Sequence, residues 1–257
     1  MCGIVSIVSP QGNIDQSRLK RATDALIHRG PDGEGFWIAG NRKAALGHRR
    51  LSIIDIAGGT QPISNEDKSI HIAVNGELYG FEAIRKDLQA RGHVFSTGTD
   101  SEIVLHLYEE YGTDCLQHLR GEFAFVLWDE KKQRLFAARD RFGIKPLCYA
   151  QHGGELLIAS EAKALFAAGV PAQWDDYAFF HAANLQYTPQ DRTLFKNVYQ
   201  LKPGHFMTFE NQKLSISKYW DADYPTGEGS VSDADALSAF TEIFEESIRL
   251  RLRADVP

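Results

Sequence analysis

The chain reads as an α+β protein, and two features of its sequence say so. Short apolar runs and helical periodicities fall in clusters and do not alternate strand by helix. That is the pattern of segregated layers, not of a doubly wound parallel sheet. Two pairs of apolar runs are also joined by short polar turns, which is how antiparallel hairpins are written.

The elements follow in order. Ile4-Val5-Ser6-Ile7-Val8, closed by Ser9-Pro10-Gln11-Gly12, predicts a buried strand and a turn. Leu19, Ala22 and Leu26 fall at helical spacing, and Gly30-Pro31 stops that helix. A second strand, Ala44 to His48, leads into Arg49-Arg50-Leu51-Ser52-Ile53-Ile54, and a third, Ile70 to Val74, ends at Asn75-Gly76. Phe81, Ile84 and Leu88 form a short helix face. Ile103, Val104, Leu107, Tyr108 and Tyr111 form a stronger one, started by Thr99-Asp100-Ser101-Glu102, a capping-box pattern. Two hairpins come next: Phe123 to Trp128 with Arg134 to Ala138, and Leu147 to Gln151 with Glu155 to Ala159.

Near the C-terminal end the composition shifts. Asp221 to Ser232 mixes glycine and proline with few apolar residues and reads as a linker. Beyond it Leu237, Phe240, Phe244 and Ile248 mark one amphipathic helix, ending in Arg249-Leu250-Arg251-Leu252-Arg253. A lone helix must bury its apolar face somewhere. Residues 233–257 therefore read as the start of a truncated or split second domain.

Composition excludes several classes. Apolar residues at 43% and charged residues at 24% are ordinary for a soluble globular chain. A net charge of -6 argues against a nucleic-acid binder. No run approaches the roughly 20 apolar residues of a membrane span, and the N-terminus has no basic region followed by a long apolar stretch. Cysteines stand at 2, 115 and 148, an odd number that makes neither a disulfide framework nor a metal pattern. A cytoplasmic chain with no membrane partner is expected. The nine histidines show no pair at metal-ligand spacing, so no metal is expected either.

Cys2 follows the initiator methionine directly. Excision of that methionine would place a thiol and an α-amine on one residue. Their reference pKa values, about 8.5 and about 7.7–8.0, let the two exchange a proton cheaply near neutrality. The amine can then serve as base for its own thiol. Taken alone, position 2 reads sooner as a small buried residue at the start of a strand.

The motifs around it decide between these. In order come Cys2-Gly3-Ile4-Val5, His28-Arg29-Gly30-Pro31-Asp32-Gly33, Gly47-His48-Arg49-Arg50-Leu51-Ser52-Ile53, Asn75-Gly76-Glu77-Leu78-Tyr79 and Thr99-Asp100-Ser101-Glu102. Gly121-Glu122-Phe123-Ala124-Phe125, Arg139 to Leu147 and Ser160-Glu161-Ala162-Lys163-Ala164-Leu165 follow. Over residues 2–220 this series resembles the class II glutamine amidotransferase domain, in its asparagine synthetase branch. The resemblance implies the four-layer αββα sandwich of N-terminal-nucleophile hydrolases.

It also implies roles. Cys2 is the expected nucleophile toward the side-chain amide of glutamine. Asn75, through its side chain, and Gly76, through its N–H, are the expected oxyanion hole. Without the resemblance, Asn-Gly between apolar runs reads as a type I′ hairpin turn. Arg50 is expected to hold the α-carboxylate, Asp100 with Glu77 the α-ammonium group, and the backbone of Leu51, Ser52, Ile53 and Ile54 to line the pocket. Asp100 reads independently as a helix N-cap. His28 and His48 are expected to be structural, Cys115 and Cys148 inert packing residues, and Gly153-Gly154 a hairpin turn.

Two positions depart from the family: Gly80, where asparagine is common, and Cys148, where tyrosine is common. The larger departure is that no Ser-Gly-Gly-x-Asp-Ser pyrophosphate loop occurs. No cofactor is expected for this chain. ATP and Mg belong to a missing synthetase domain or separate chain, which the C-terminal helix would contact; a homodimer is a further partner the reading admits. A free-standing hydrolase of glutamine or another amide, and a silent docking module, are the competing readings.

Overall fold

The computed structural model describes residues 1–224, 226, 231–252 and 254–256, and within them the strands form two six-stranded sheets. The first holds, in spatial order, β10 (Tyr199–Gln200), β8 (Cys148–His152), β9 (Glu155–Ala159), β1 (Gly3–Val8), β3 (Ala44–Arg50) and β2 (Gly33–Ile38). The second holds β12 (Lys213–Lys218), β11 (His205–Glu210), β7 (Arg134–Arg139), β6 (Gly121–Asp129), β5 (Ile70–Leu78) and β4 (Ile63–Ser64). The pairings between these strands are all antiparallel.

Strand alternation explains the layering. In β1, Ile4 and Val8 point into the core between the sheets, while Val5 and Ile7 pack outward against α1 (Gln16–Asp24) and α4 (Ala162–Ala167). In β6, Ala124, Val126 and Trp128 face the other sheet. Phe123, Phe125 and Leu127 face α2 (Phe81–Ala90) and α3 (Glu102–Tyr111). Strands buried on both faces read as continuous apolar runs, which is why these were legible. The result is helix, sheet, sheet, helix, the four-layer αββα sandwich.

Several elements differ from the sequence reading. β5 does not end at Asn75-Gly76: it runs to Leu78, with Asn75 opposite Ala124 and Gly76 opposite Phe123, so the type I′ turn does not form. The first helix ends at Asp24, and Leu26 lies in the turns after it. β2, β11, β12 and α5 (Asp176–Leu185) had no counterpart in the reading. β2 contains Gly33 and Gly35 and is only partly buried, so it lacks a strand's usual signature. The capping box is also replaced. Ser101 is the N-cap of α3 and makes no side-chain capping bond. Glu102 turns its carboxylate to the N–H and O–H groups of Ser96 and Thr97, at 2.6–2.8 Å.

Gly80, which departs from the family, has φ of 68° and precedes α2. Glycine and asparagine are the residues that enter this left-handed region most readily, so the exchange keeps the backbone. The C-terminal helix forms as expected, α6 (Asp233–Arg251), with Ser232 accepting from the N–H of Asp235. Of the expected linker, residues 225 and 227–230 lie outside the described residues, as do 253 and 257. No described helix is long and apolar enough to cross a membrane.

Candidate active site

Pairing of β1 with β3 sets Gly3 opposite Arg49 and so brings Cys2 beside the chain leaving β3. The Leu51 N–H donates to Cys2 Sγ at 3.4 Å. The carbonyl of Cys2 accepts from Arg29 Nε at 2.9 Å, and Arg29 is held in turn by Glu161 at 2.8 Å. Two motifs distant in sequence thus fix one residue. Burial pushes the Cys2 thiol up, against the opposing pull of the Leu51 N–H. Met1 is present in this structure and lines the same pocket, so the nitrogen of Cys2 is a peptide nitrogen.

The second sheet supplies the opposite wall through β5. The N–H of Val74 donates to Gln61 Oε1 at 2.6 Å, and that of Leu78 to Asp100 Oδ2 at 2.6 Å, so both point away from β6. With a period of two, the Gly76 N–H between them points the same way. Among the described residues it meets no acceptor. The side-chain Nδ2 of Asn75 is likewise buried without a partner. Two adjacent donors therefore stand unpaired, and Asn75 is buried, where polar groups are ordinarily bonded. A side chain at 76 is excluded, since a Cβ there would lie 2.4 Å from the Glu122 carbonyl oxygen.

His48 joins the two walls. Its Nε2 is 3.1 Å from the carbonyl oxygen of Val74, linking β3 to the residue before Asn75. Burial holds its pKa down to about 4, so it sits neutral. The structural role expected for it is this bridge between sheets. His28, also expected to be structural, lies exposed 3.1 Å from Glu161.

Arg50 lines the pocket. Its guanidinium donates to the carbonyls of Ile54, Asp55 and Ile56 and braces the loop it belongs to. The carboxylate of Asp55 accepts from Gly58 at 3.0 Å and Gly98 at 2.7 Å, tying that loop to the stretch before α3. Asp100 is buried, and burial pushes its carboxyl up. Glu77 is half-buried and is also pushed up, by burial first and then by the charges of Asp100 and Glu122.

All the sequence-predicted residues except Ser52 line one cavity of about 90 Å³. Ser52 instead turns its N–H to Asp32 Oδ2 at 2.8 Å. Sequence reasoning missed Gly59, Gln61, Thr99, Ser101 and Lys145. Lys145 carried a signal, being a charged residue within the Arg139–Leu147 motif. It is presented by a loop whose N–H groups at Phe142, Ile144 and Lys145 all donate to Asp140, and its Nζ lies 3.0 Å from Glu122. Gln61 carried none. Cys115 and Cys148 are buried away from the cavity, as packing residues.

A thiol, two unpaired donors, a cation and two carboxylates around one cavity are the parts needed for acyl transfer on a zwitterion. Solved structures place the fold first. A glutamine phosphoribosylpyrophosphate amidotransferase from Bacillus subtilis, in complex with ADP and GMP, superposes with a TM-score of 0.63 at 20% identity, covering 85% of this chain and 49% of that one. The fold is that of the N-terminal-nucleophile amidotransferases. Residues 1–220 match the glutamine amidotransferase domain, and the chain belongs to that family.

Among curated relatives, Amidase chry2 of Gibberella zeae is 40% identical, over 100% of this chain and 40% of its own length. Asparagine synthetase [glutamine-hydrolyzing] 3 of Bacillus subtilis is 38% identical, over 100% of this chain and 42% of its own length. The chain thus spans about two fifths of the length of these relatives.

Proposed function

We propose that this domain hydrolyses the side-chain amide of glutamine through Cys2 and delivers ammonia to an ATP-dependent synthetase partner. The observation that carries this reading is the pair of unpaired donors, Asn75 Nδ2 and the Gly76 N–H, lining one cavity with the Cys2 thiol. After excision of Met1, the α-amine of Cys2 takes the thiol proton as Sγ attacks the amide carbon. The oxyanion is held by Asn75 and Gly76. The C–N bond breaks, the leaving nitrogen takes the proton, and a thioester remains. Water then cleaves the C–S bond, giving glutamate and restoring the thiol. Arg50 accepts the α-carboxylate, sharing donors that now brace the loop, while Asp100 and Glu77 hold the α-ammonium group. The backbone of Leu51, Ile53 and Ile54 forms the lip.

ATP and Mg would act only on the synthetase side, as a separate domain or chain, with aspartate as the favoured acceptor. A homodimer and a cytoplasmic site belong to the same reading. Relatives named as amidases, at 40% and 37% identity, favour testing other amides beside glutamine.

The test is release of glutamate and ammonia by the chain and by its Cys2→Ala variant, with intact mass recording whether Met1 is gone. Activity in the processed chain that vanishes in the variant supports the reading. A processed, folded chain that is inactive on glutamine and on a panel of other amides sinks the stand-alone hydrolase.

A further inference from the structure

Helix α3 carries a second cluster that this chemistry does not use. His106 is fully buried in it, with Nδ1 2.8 Å from Glu109 Oε2. Its Nε2 is buried and has no hydrogen-bond partner among the described residues. Glu102 Oε1 lies 3.8 Å away, and that carboxylate is already occupied by Ser96 and Thr97. His93, between α2 and α3, has a carboxylate beside each ring nitrogen: its Nε2 is 3.0 Å from Glu110 Oε1, and its Nδ1 is 3.3 Å from Glu109 Oε2. Glu66, in the turn between β4 and β5, brings an exposed carboxylate alongside, its Oε1 accepting from the Val94 N–H at 2.6 Å. One ligand atom from each of Glu66, His93 and His106 lies within 4.8 Å of the other two.

We propose that Glu66, His93 and His106 form a binding site for a divalent cation of the zinc class. Two imidazoles and one carboxylate are the donor set of zinc and its first-row neighbours; magnesium and calcium take oxygen ligands. Metal-bound imidazoles characteristically give their other ring nitrogen to a carboxylate, which fixes tautomer and orientation. Glu109 and Glu110 stand where those outer carboxylates belong. A bound ion would give the buried Nε2 of His106 a closer partner than Glu102 Oε1, which lies 3.8 Å away.

Exposed Glu66 and the partly exposed His93 can close onto the ion, and the open side leaves a place for water as fourth ligand. The three ligands come from a turn, an inter-helix segment and a helix. The ion would therefore tie residues 93–97 to α3, directly before Thr99 and Asp100 of the glutamine cavity.

The test uses the whole chain with Cys2→Ser, so that the thiol does not compete, stripped by chelator and titrated with zinc calorimetrically. Cobalt replaces zinc for visible spectroscopy. One zinc per chain, a visible cobalt band, and a melting temperature raised by zinc are expected. All three should be lost in Glu66→Gln and in His93→Gln, each checked for fold by circular dichroism. Glu109→Gln should retain binding, weakened about 10- to 100-fold as for other outer-carboxylate losses. Absence of stoichiometric binding, or binding indifferent to both ligand variants, overturns the site and leaves His106 as a buried imidazolium between Glu102 and Glu109.

Discussion

Phe125 and Phe244 carry the same side chain on elements of equal regularity, yet they sit in opposite surroundings. Phe125 in β6 is 0% exposed, packed edge-on against Phe136 beneath α3. Phe244 in α6 is 54% exposed and stacks only on Phe240, one turn away. The contrast extends to whole elements. Central strands such as β1 and β6 fill two cores each, whereas α6 has no buried residue and turns Leu237, Phe240, Ile243 and Phe244 outward. Helix α5 does the same with Tyr177, Phe179 and Phe180. What joins α6 to the sandwich is polar and superficial, such as Arg120 with Glu246 at 3.3 Å and Arg251 over the ring of Tyr79. Exposed pairs of that kind contribute about 0–1 kcal/mol. Apolar periodicity identifies a face; it does not say what covers it.

The contrast is broken most directly in the core. Phe125→Ala should destabilise the chain by about 3–5 kcal/mol, as large-to-small changes at fully buried aromatics do. Chemical denaturation reads this, and a loss below about 1 kcal/mol would mean the second sheet is not packed as described.

A polar group in the same sandwich should behave differently. Asn75→Ala is expected to lower glutaminase kcat by about 10²- to 10³-fold, the usual loss of one oxyanion donor. Stability should hold or rise, because the Nδ2 being removed has no partner in the fold. If stability falls along with activity, the amide is structural and the proposed oxyanion role is lost.

His48 sharpens the comparison, since it is the polar link made inside the sandwich and not on its surface. Folded, its pKa is held at about 4 by burial; its ordinary value is 6.5. The folded value is the lower one, so the unfolded chain binds the proton first. The stabilisation is therefore full above pH 6.5 and is lost as the pH falls toward about 4, on the order of 3 kcal/mol in all. Replacement by glutamine should flatten the acid limb of the pH–stability curve across that window. An acid limb identical to that of the parent would show that His48 is solvated.

The sandwich was legible because its strands are doubly buried and its pocket is built from contiguous motifs. Cys2, Arg50 and Asp100 sit at or beside the end of an element, and Asn75 and Gly76 lie inside β5. Asn75-Gly76 shows the limit of local reading. Asn-Gly is a strong hairpin signal, but Gly76 is required here for close approach to β6, and only the partner strand reveals that. Gln61 was invisible because its role, accepting from Val74, depends on a loop returning to β5. The cluster of Glu66, His93 and His106 was missed for the same reason, its members being brought together by three elements and not by spacing. β11 and β12 went unread because their exposed residues dilute the apolar signal.

The smallest expected effect is also the one that decides the opening comparison. Phe244→Ala removes as many atoms as Phe125→Ala, from an element with a continuous apolar face. Because that face meets solvent, little transfer free energy is lost, and no enclosed cavity is left behind. Alanine is also the best helix former, so the backbone of α6 gains slightly. The change should stay within about 0.5 kcal/mol, as at surface positions generally, and the same should hold for Phe240→Ala. Denaturation of both variants, run at two protein concentrations, provides the check. A loss comparable to that of Phe125→Ala, growing with concentration, would mean that copies of the chain cover this face for one another. The difference between the two phenylalanines would then lie in which chain supplies the cover.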